Sequence, residues 1–335
     1  MEQNIDITIT WVDSNDPKWR EEKNQYSQTK ETKAAVDDGE ARYRDWEVVK
    51  YLLRSIEMYM PWVRYVFFIT YGHLPSWMNV HYEKLKIVNH QDFIPKEYLP
   101  TFCSHTIELN MHRIEELSEQ FIYFNDDILV LRPIEKEEFF CKGLPRDYAV
   151  LNPINCATRF SVQDIALTDV EVINDNFNKK EQIRKNFSKW ISPCYGKYLF
   201  RTFCLLSWPS FVGFLSKHQG NAFLKSTFRE VWEKEFSILD STCRHRFRTR
   251  RDVNQWLMRY WQLASGKFLP IRPYGELHVI GNDNTKLFDA INNCKEKSIC
   301  VNDNNLEKII DYKKTKNELI DVLEKRFPVK SGFEL

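Results

Sequence analysis

The chain has 335 residues, enough for one large domain or two modest ones around a sizeable core. Its 48 Lys and Arg offset 47 Asp and Glu to a net charge of +1, which excludes a global field drawing it to nucleic acid. Aromatic residues make up 14% of the chain, too many for a disordered protein and suited to surfaces that stack on rings.

In chain order, the opening MEQNIDITITWVD lacks the basic start and long apolar run of a signal peptide. Ile5, Ile7, Ile9 and Trp11 alternate with polar residues, which predicts a half-buried strand. The charged residues 18–40 predict a surface loop or short helix. Val49, Leu52, Leu53, Ile56 and Met60 recur at helical spacing until Pro61 stops them. Residues 65–71 and 85–89 read as the second and third strands. Ser104 is placed to cap a helix carrying Ile107, Met111, Ile114 and Leu117 on one face. Residues 121–124 make a fourth strand that runs into Asn125-Asp126-Asp127. From 143 to 217 the pattern becomes irregular, as in an insertion of short helices shaping a substrate cleft. Residues 223–236, 252–263 and 306–327 look helical, the last amphipathic and expected to pack on the domain rather than on a membrane.

Strands alternating with helices through the first 130 residues predict an α/β fold with a mostly parallel sheet. The division this suggests is a core's first part over 1–142, the insertion over 143–217, and the rest of the core with C-terminal helices over 218–335. Ligands of such sheets gather at the carboxyl ends of strands. Two acidic motifs should sit there: Asp13 and Asp16 after the first strand, Asp126 and Asp127 after the fourth. Eight Cys without a CxxC pair signal neither zinc nor disulfides and suit a reducing cytosol. No apolar stretch reaches the roughly 20 residues that span a bilayer.

The sequence has no GxGxxG, GxxxxGK[ST], HExxH or GxSxG, so phosphate must be handled by side chains or a metal. Asn125-Asp126-Asp127 reads either as a solvated turn or as an oxygen-ligand site for a hard cation. Glu108 and His112 lie four residues apart on one helix face, with Arg113 adjacent, either as a surface pair or as site residues. Arg42 and Asp45 carry the same two readings. Arg244-His245-Arg246-Phe247-Arg248-Thr249-Arg250-Arg251 is the densest positive run: a solvated face, a nucleic-acid patch, or guanidinium groups aimed at a phosphoryl group. His218 stands upstream in a Phe-rich stretch.

The order of these weak signals is specific. WVDSNDP, then ARYRDWEVVKYLLRSIEMYMPWVRYVFFITYGHLPSW, then LPTFCSHTIELNMHRIEELSEQFIYFNDD closely resembles the Stealth family of sugar-1-phosphate transferases. A third region resembles His218 through Asp252, and a fourth Cys300-Val301-Asn302-Asp303 with the closing Phe327-Pro328 and Ser331-Gly332-Phe333-Glu334. The resemblance implies a nucleotide-sugar-binding fold similar to GT-A glycosyltransferases. It implies that Trp11 and Asp13 line the nucleotide pocket with Arg42 and Asp45 nearby. Glu108, His112, Arg113 and Asn125 are expected around the substrate, and Asp303 as the acidic residue of the fourth region. It further implies Asp126 and Asp127 at a divalent cation (Mg²⁺ expected), His218 as general base and Arg248 as the cation on the transferring phosphoryl group.

The expected reaction moves an N-acetylhexosamine-1-phosphate from a UDP-sugar to a glycan hydroxyl, releasing UMP, in capsule synthesis. The insertion resembles that of bacterial capsule enzymes. The expected partners are a nucleotide-sugar donor and a glycan acceptor, lipid-linked or not, with no nucleic acid. The expected location is the cytoplasm; peripheral contact with the inner face of the inner membrane, or with a capsule-synthesis complex, stays open. A glycosyltransferase releasing UDP and a non-catalytic capsule scaffold are the competing readings.

Overall fold

The computed structural model describes residues 4–27, 44–156, 162–293, 295–303 and 309–335. Among the described residues eleven strands follow in order: β1 (Ile5–Thr10), β2 (Val66–Thr70), β3 (Leu85–Asn89), β4 (Gln120–Asn125), β5 (Ile128–Val130), β6 (Phe140–Cys141), β7 (Leu144–Asp147), β8 (Asn221–Leu224), β9 (Leu269–Pro270), β10 (Glu276–Val279) and β11 (Ser298–Asn302). The main sheet has the order β3-β2-β1-β4-β8. Its first four strands are parallel, and β8 closes the edge antiparallel to β4. This is the mixed α/β fold with a parallel-rich sheet that the alternation predicts.

β1 is central rather than half-buried. Ile7 and Ile9 are fully buried, and so are the alternate residues Asp6 and Thr8, because helices cover both faces of a parallel sheet. The buried Asp6 carboxylate is stabilised by Arg64, whose Nε and Nη2 donate at 2.8 and 2.5 Å, and by the Ser118 N–H at 2.8 Å. Alternation in the sequence therefore marks a buried salt bridge here, not a wet face.

The helix Val48–Tyr59 buries Val49, Leu52, Leu53 and Ile56 against one face of the sheet. It stops because Pro61 disfavours helical geometry at Met60, which adopts φ −135° and ψ 51°. Its Arg54, almost wholly buried, is chelated by Glu334 through two bonds of 2.8 Å and by Glu324 through one of 2.8 Å. Glu324 and Glu334 are thus clamped to the helix Val48–Tyr59. The late amphipathic segment forms the helix Tyr312–Arg326, which buries Leu319 and Leu323 with Phe327, Tyr51 and Ile299. It packs on the domain, as expected.

The opposite face carries the largest core. It joins Phe67, Phe121 and Tyr123 of the sheet to Val170, Ile173, Trp190, Phe211, Leu257 and Trp261. Residues 143–217 hold the helices Val162–Asn176, Lys179–Lys185, Phe187–Trp190 and Leu199–Leu205. They contribute to this shared core rather than enclosing one of their own. Two helical expectations change. Phe223 and Leu224 belong to β8, with the helices Lys225–Lys234 and Phe236–Arg244 following, because alternate residues there pair with β4. Ser104 is the first residue of the helix Ser104–Asn110 rather than its cap, and a 3₁₀ turn at Met111–Arg113 ends the helical face early.

Candidate active site

The chain leaves β1, fills β2 and β3 on one side, and returns to lay β4 on the other side of β1. The order therefore reverses between β1 and β4, the place where open α/β sheets bind ligands. Thr10 pairs in register with Asn125, so Trp11 and the Asp126-Asp127 pair emerge side by side. A cavity of about 320 Å³ opens there. Its floor is Thr10, Trp11, Asn125, Asp126 and Asp127, and its walls include Asp45, Trp46, Ser104, Glu108, Arg248 and Asp303.

Asp127 links the main sheet to the smaller one. Its carbonyl accepts from the Val301 N–H at 2.7 Å, and its Oδ2 accepts from the Cys300 thiol at 3.2 Å. Asn302 also bonds the carboxylate, whereas Oδ1 is buried without a protein partner. Burial raises the carboxyl above its ordinary range, partly opposed by Cys300 and His218. Asp126 lines the cavity. The surrounding walls, then Asp127, then Asp45 push its carboxyl up to about 8. Burial also raises Asp45, whose Oδ1 accepts from the Glu47 N–H at 2.7 Å.

His218, expected in the site, is not among the residues that line the cavity; it stands near enough to Asp127 for their charges to interact and has a left-handed backbone (φ 50°), which a non-glycine residue adopts only when its surroundings hold it there. Burial lowers its pKa, and the Asp127 carboxylate partly restores it. Arg248 lines the wall and donates through Nη2 to the Ser104 hydroxyl at 2.7 Å. Its loop is fixed by the fully buried Asp252, which accepts from the Thr249 N–H, the Thr249 hydroxyl and His245 Nδ1, each at 2.7 Å. Asp252 is consequently held at about 2: burial works against this, but His105, His245 and Thr249 outweigh it. His105 faces Asp252 from the helix start. Burial lowers its pKa, yet Cys103 and Asp252 lift it to about 9.

The basic run is therefore mostly neutralised. Arg244 bonds Asp240 at 2.8 Å, Arg251 bonds Glu171 at 2.8 Å, Arg250 lies 3.7 Å from Asp164, and Phe247 stacks on Phe102 with ring centroids 5.4 Å apart. Arg244, Arg250 and Arg251 are exposed, as on a solvated face, whereas Arg248 lines the cavity.

The remaining expected site residues divide. Glu108 reaches the cavity and accepts from the Tyr123 hydroxyl at 3.3 Å. Asp303 lies in the wall and accepts from Arg44 Nη1 at 3.2 Å and Trp46 Nε1 at 3.1 Å. Asp13 stands just outside the lining; its N–H donates to His73 Nε2 at 2.7 Å. His112 and Arg113 do not line the cavity, contrary to expectation. The 3₁₀ turn rotates them away, so that His112 packs on Phe228 and Trp232, and Arg113 lies over Trp232 with a bond to Asn110. Buried there, His112 is lowered to about 3. Arg42 lies outside the described residues. Sequence reasoning missed Arg44, Trp46 and Ser104; only the aromatic Trp46 directly before the helical pattern offered a signal. It also missed the buried cluster of Cys103, His105 and Asp252, whose Asp252 is far in the chain from the other two.

Comparison with known proteins places this arrangement in a class. The model of Stealth protein conserved region 2 matches residues 42–146, and that of conserved region 1 matches residues 3–31. The chain is 40% identical to "Capsular polysaccharide phosphotransferase WcwK" of Streptococcus pneumoniae, over 100% of this chain and 98% of that one. It is 36% identical to "Exopolysaccharide phosphotransferase cps2G" of Lactiplantibacillus plantarum, over 98% and 96%. It is 35% identical to "Receptor polysaccharide phosphotransferase WefC" of Streptococcus gordonii, over 100% of each chain. Among solved structures, the glycosyltransferase GlyE of Streptococcus pneumoniae aligns with a TM-score of 0.26 at 9% identity, over 91% of this chain and 81% of that one, too little to carry an argument. The chain is a transferase. It belongs to the Stealth family.

Proposed function

We propose that the protein transfers an N-acetylhexosamine-1-phosphate from a UDP-sugar to a sugar hydroxyl of a capsule or cell-surface polysaccharide precursor, forming a phosphodiester and releasing UMP. The observation that carries this reading is the Asp126-Asp127 pair at the sheet's switch point, with Arg248 in the facing wall and His218 coupled to Asp127. Adjacent carboxylates suit a hard cation, and the unpartnered Asp127 Oδ1 together with the raised Asp126 fits a site that awaits positive charge. Asp126 and Asp127 would hold that divalent cation, Mg²⁺ by this reading, which when bound neutralises the donor's diphosphate.

The chain's own residues do the rest. Trp11 and Asp45 line the nucleotide side of the cavity, with Asp13 behind them. Arg248, fixed by Ser104 and by the Asp252 loop, stabilises negative charge growing on the phosphoryl oxygens. His218, kept neutral by burial, takes the proton from the acceptor hydroxyl as its oxygen bonds to the sugar-bearing phosphorus. The bond from that phosphorus to the bridging oxygen breaks, and UMP leaves with the electron pair. Location at the cytoplasmic face of the membrane, where lipid-linked glycans are built, belongs to the same proposal.

Purified protein incubated with Mg²⁺, UDP-N-acetylglucosamine and a panel of glycan acceptors tests it by mass spectrometry of the released nucleotide. UMP is expected, and it should fall at least about 100-fold in Asp127→Asn and in His218→Ala. UDP as the main product would overturn the proposal in favour of attack at the sugar carbon.

A further inference from the structure

Residues 179–208 combine an excess of positive charge with exposed aromatic surface. The segment holds seven Lys or Arg and a single acidic residue, Glu181, in a chain whose net charge is +1. Two of the cations are used internally. Lys179 Nζ donates to the carbonyls of Leu205 at 2.5 Å and Trp208 at 2.8 Å, and Lys189 Nζ donates to that of Gly266 at 2.6 Å. These bonds make the short helices one rigid module. The other five, Lys180, Arg184, Lys185, Lys197 and Arg201, are exposed, and among the described residues none forms an ion pair with a carboxylate.

The same module exposes large apolar rings. Phe200 is 74% exposed, Phe187 60%, and Phe203 and Trp208 each 51%. Phe200 and Phe203 lie three residues apart on the helix Leu199–Leu205, whose Thr202 is fully buried, so they share its outward face. Nothing in the fold requires bulky rings there: the core beneath is filled by Trp190, Phe211 and Phe214, stacked on one another. Exposed rings in a segment whose exposed cations pair with no carboxylate are the composition that binds where apolar chains meet anionic headgroups. A partner of balanced charge would leave these cations uncompensated.

We infer that the face formed by Phe187, Phe200, Phe203 and Trp208 with Lys180, Arg184, Lys185 and Arg201 docks onto an anionic lipid bilayer. The inference rests on this surface alone and stands whether or not the proposed reaction is correct. A second cavity, of about 550 Å³, is walled by Lys197 and Tyr198 of this module and by Lys217, the neighbour of His218.

The test is co-sedimentation of the full chain with sucrose-loaded vesicles, either pure phosphatidylcholine or about one-third phosphatidylglycerol. Two variants accompany it: Phe200→Ser/Phe203→Ser/Trp208→Ser and Lys180→Glu/Arg184→Glu/Lys185→Glu. All changed side chains are exposed, and unaltered circular dichroism and thermal midpoints confirm that both variants fold. Native protein is expected to bind the anionic vesicles and to lose binding in high salt. Each variant is expected to lose at least about tenfold in partitioning. Native protein that ignores anionic vesicles, or a variant that binds as well as native, would overturn the inference. Self-association in sedimentation velocity that the aromatic variant abolishes, without vesicle binding, would instead assign the face to a second copy of the chain.

Discussion

Replacing Asp147 by Ala tests how the 143–217 region is held. Asp147 and Arg259 are both buried and form a bidentate pair, Nε to Oδ2 and Nη2 to Oδ1 at 2.7 Å each. Arg259 Nη1 also donates to the Leu215 carbonyl at 3.0 Å. The guanidinium is almost wholly inaccessible, so removing the carboxylate strands a full charge with one backbone partner. The expected cost is about 3–5 kcal/mol, the range for breaking a buried pair. That is a large part of the roughly 5–15 kcal/mol that keeps a domain folded. Urea denaturation followed by tryptophan fluorescence would show it as a lower midpoint at unchanged slope. The double variant Asp147→Leu/Arg259→Met is expected to recover most of the loss, because desolvation of both charges disappears together. A cost below about 1 kcal/mol for Asp147→Ala would place the pair among solvent-screened ones and refute the burial argument.

Further outcomes follow from the titrating groups. Burial lowers His218 below its ordinary value of about 6.5, so kcat/KM is expected to rise with pH only through the acidic range and then level off; a bell centred above neutrality would remove His218 as the base. Asp126 keeps its proton up to about 8 without a cation, so half-maximal activity should need less Mg²⁺ as pH climbs toward 8, read from Mg²⁺ titrations at fixed pH values. His105 is raised to about 9 in the fold against about 6.5 unfolded. Its stabilisation is therefore complete below about 6.5 and lost as pH rises through 9. His105→Gln should flatten denaturation midpoints across that window, and an unchanged slope would show that His105 is not charged. Asp252, held at about 2, contributes in the opposite sense, its share vanishing only as pH falls toward 2.

The sequence exposed the sheet's frame because strand and helix periodicities are local. Leu85–Asn89 was read with its observed bounds, and the acidic pair after the fourth strand stands where parallel topology puts it. What stayed hidden depends on contacts between distant residues. The polar half of β1 looked wet because the Asp6–Arg64 pair spans 58 positions. His112 and Arg113 looked like cavity residues because an ideal helix would carry them there, and a single 3₁₀ turn does not. Arg44 meets Asp303 across 259 positions, and Cys103 and His105 meet Asp252 only after folding. His218 and Arg248 were reached through family resemblance, since no periodicity announces a left-handed histidine.

The clamp on Arg54 also bears on how the protein is made. Arg54 leaves the ribosome with its helix early, yet Glu334 follows 280 residues later. At about 5–20 residues per second the delay is on the order of 15–60 seconds. Until Glu324 and Glu334 emerge, the helix Val48–Tyr59 carries a cation in what will become the interior without either carboxylate partner. Final seating of that helix is thereby tied to synthesis of residues 324–334. A ribosome that stops short of Glu324 would release a product whose Arg54 lacks both carboxylate partners, a target for quality-control proteases.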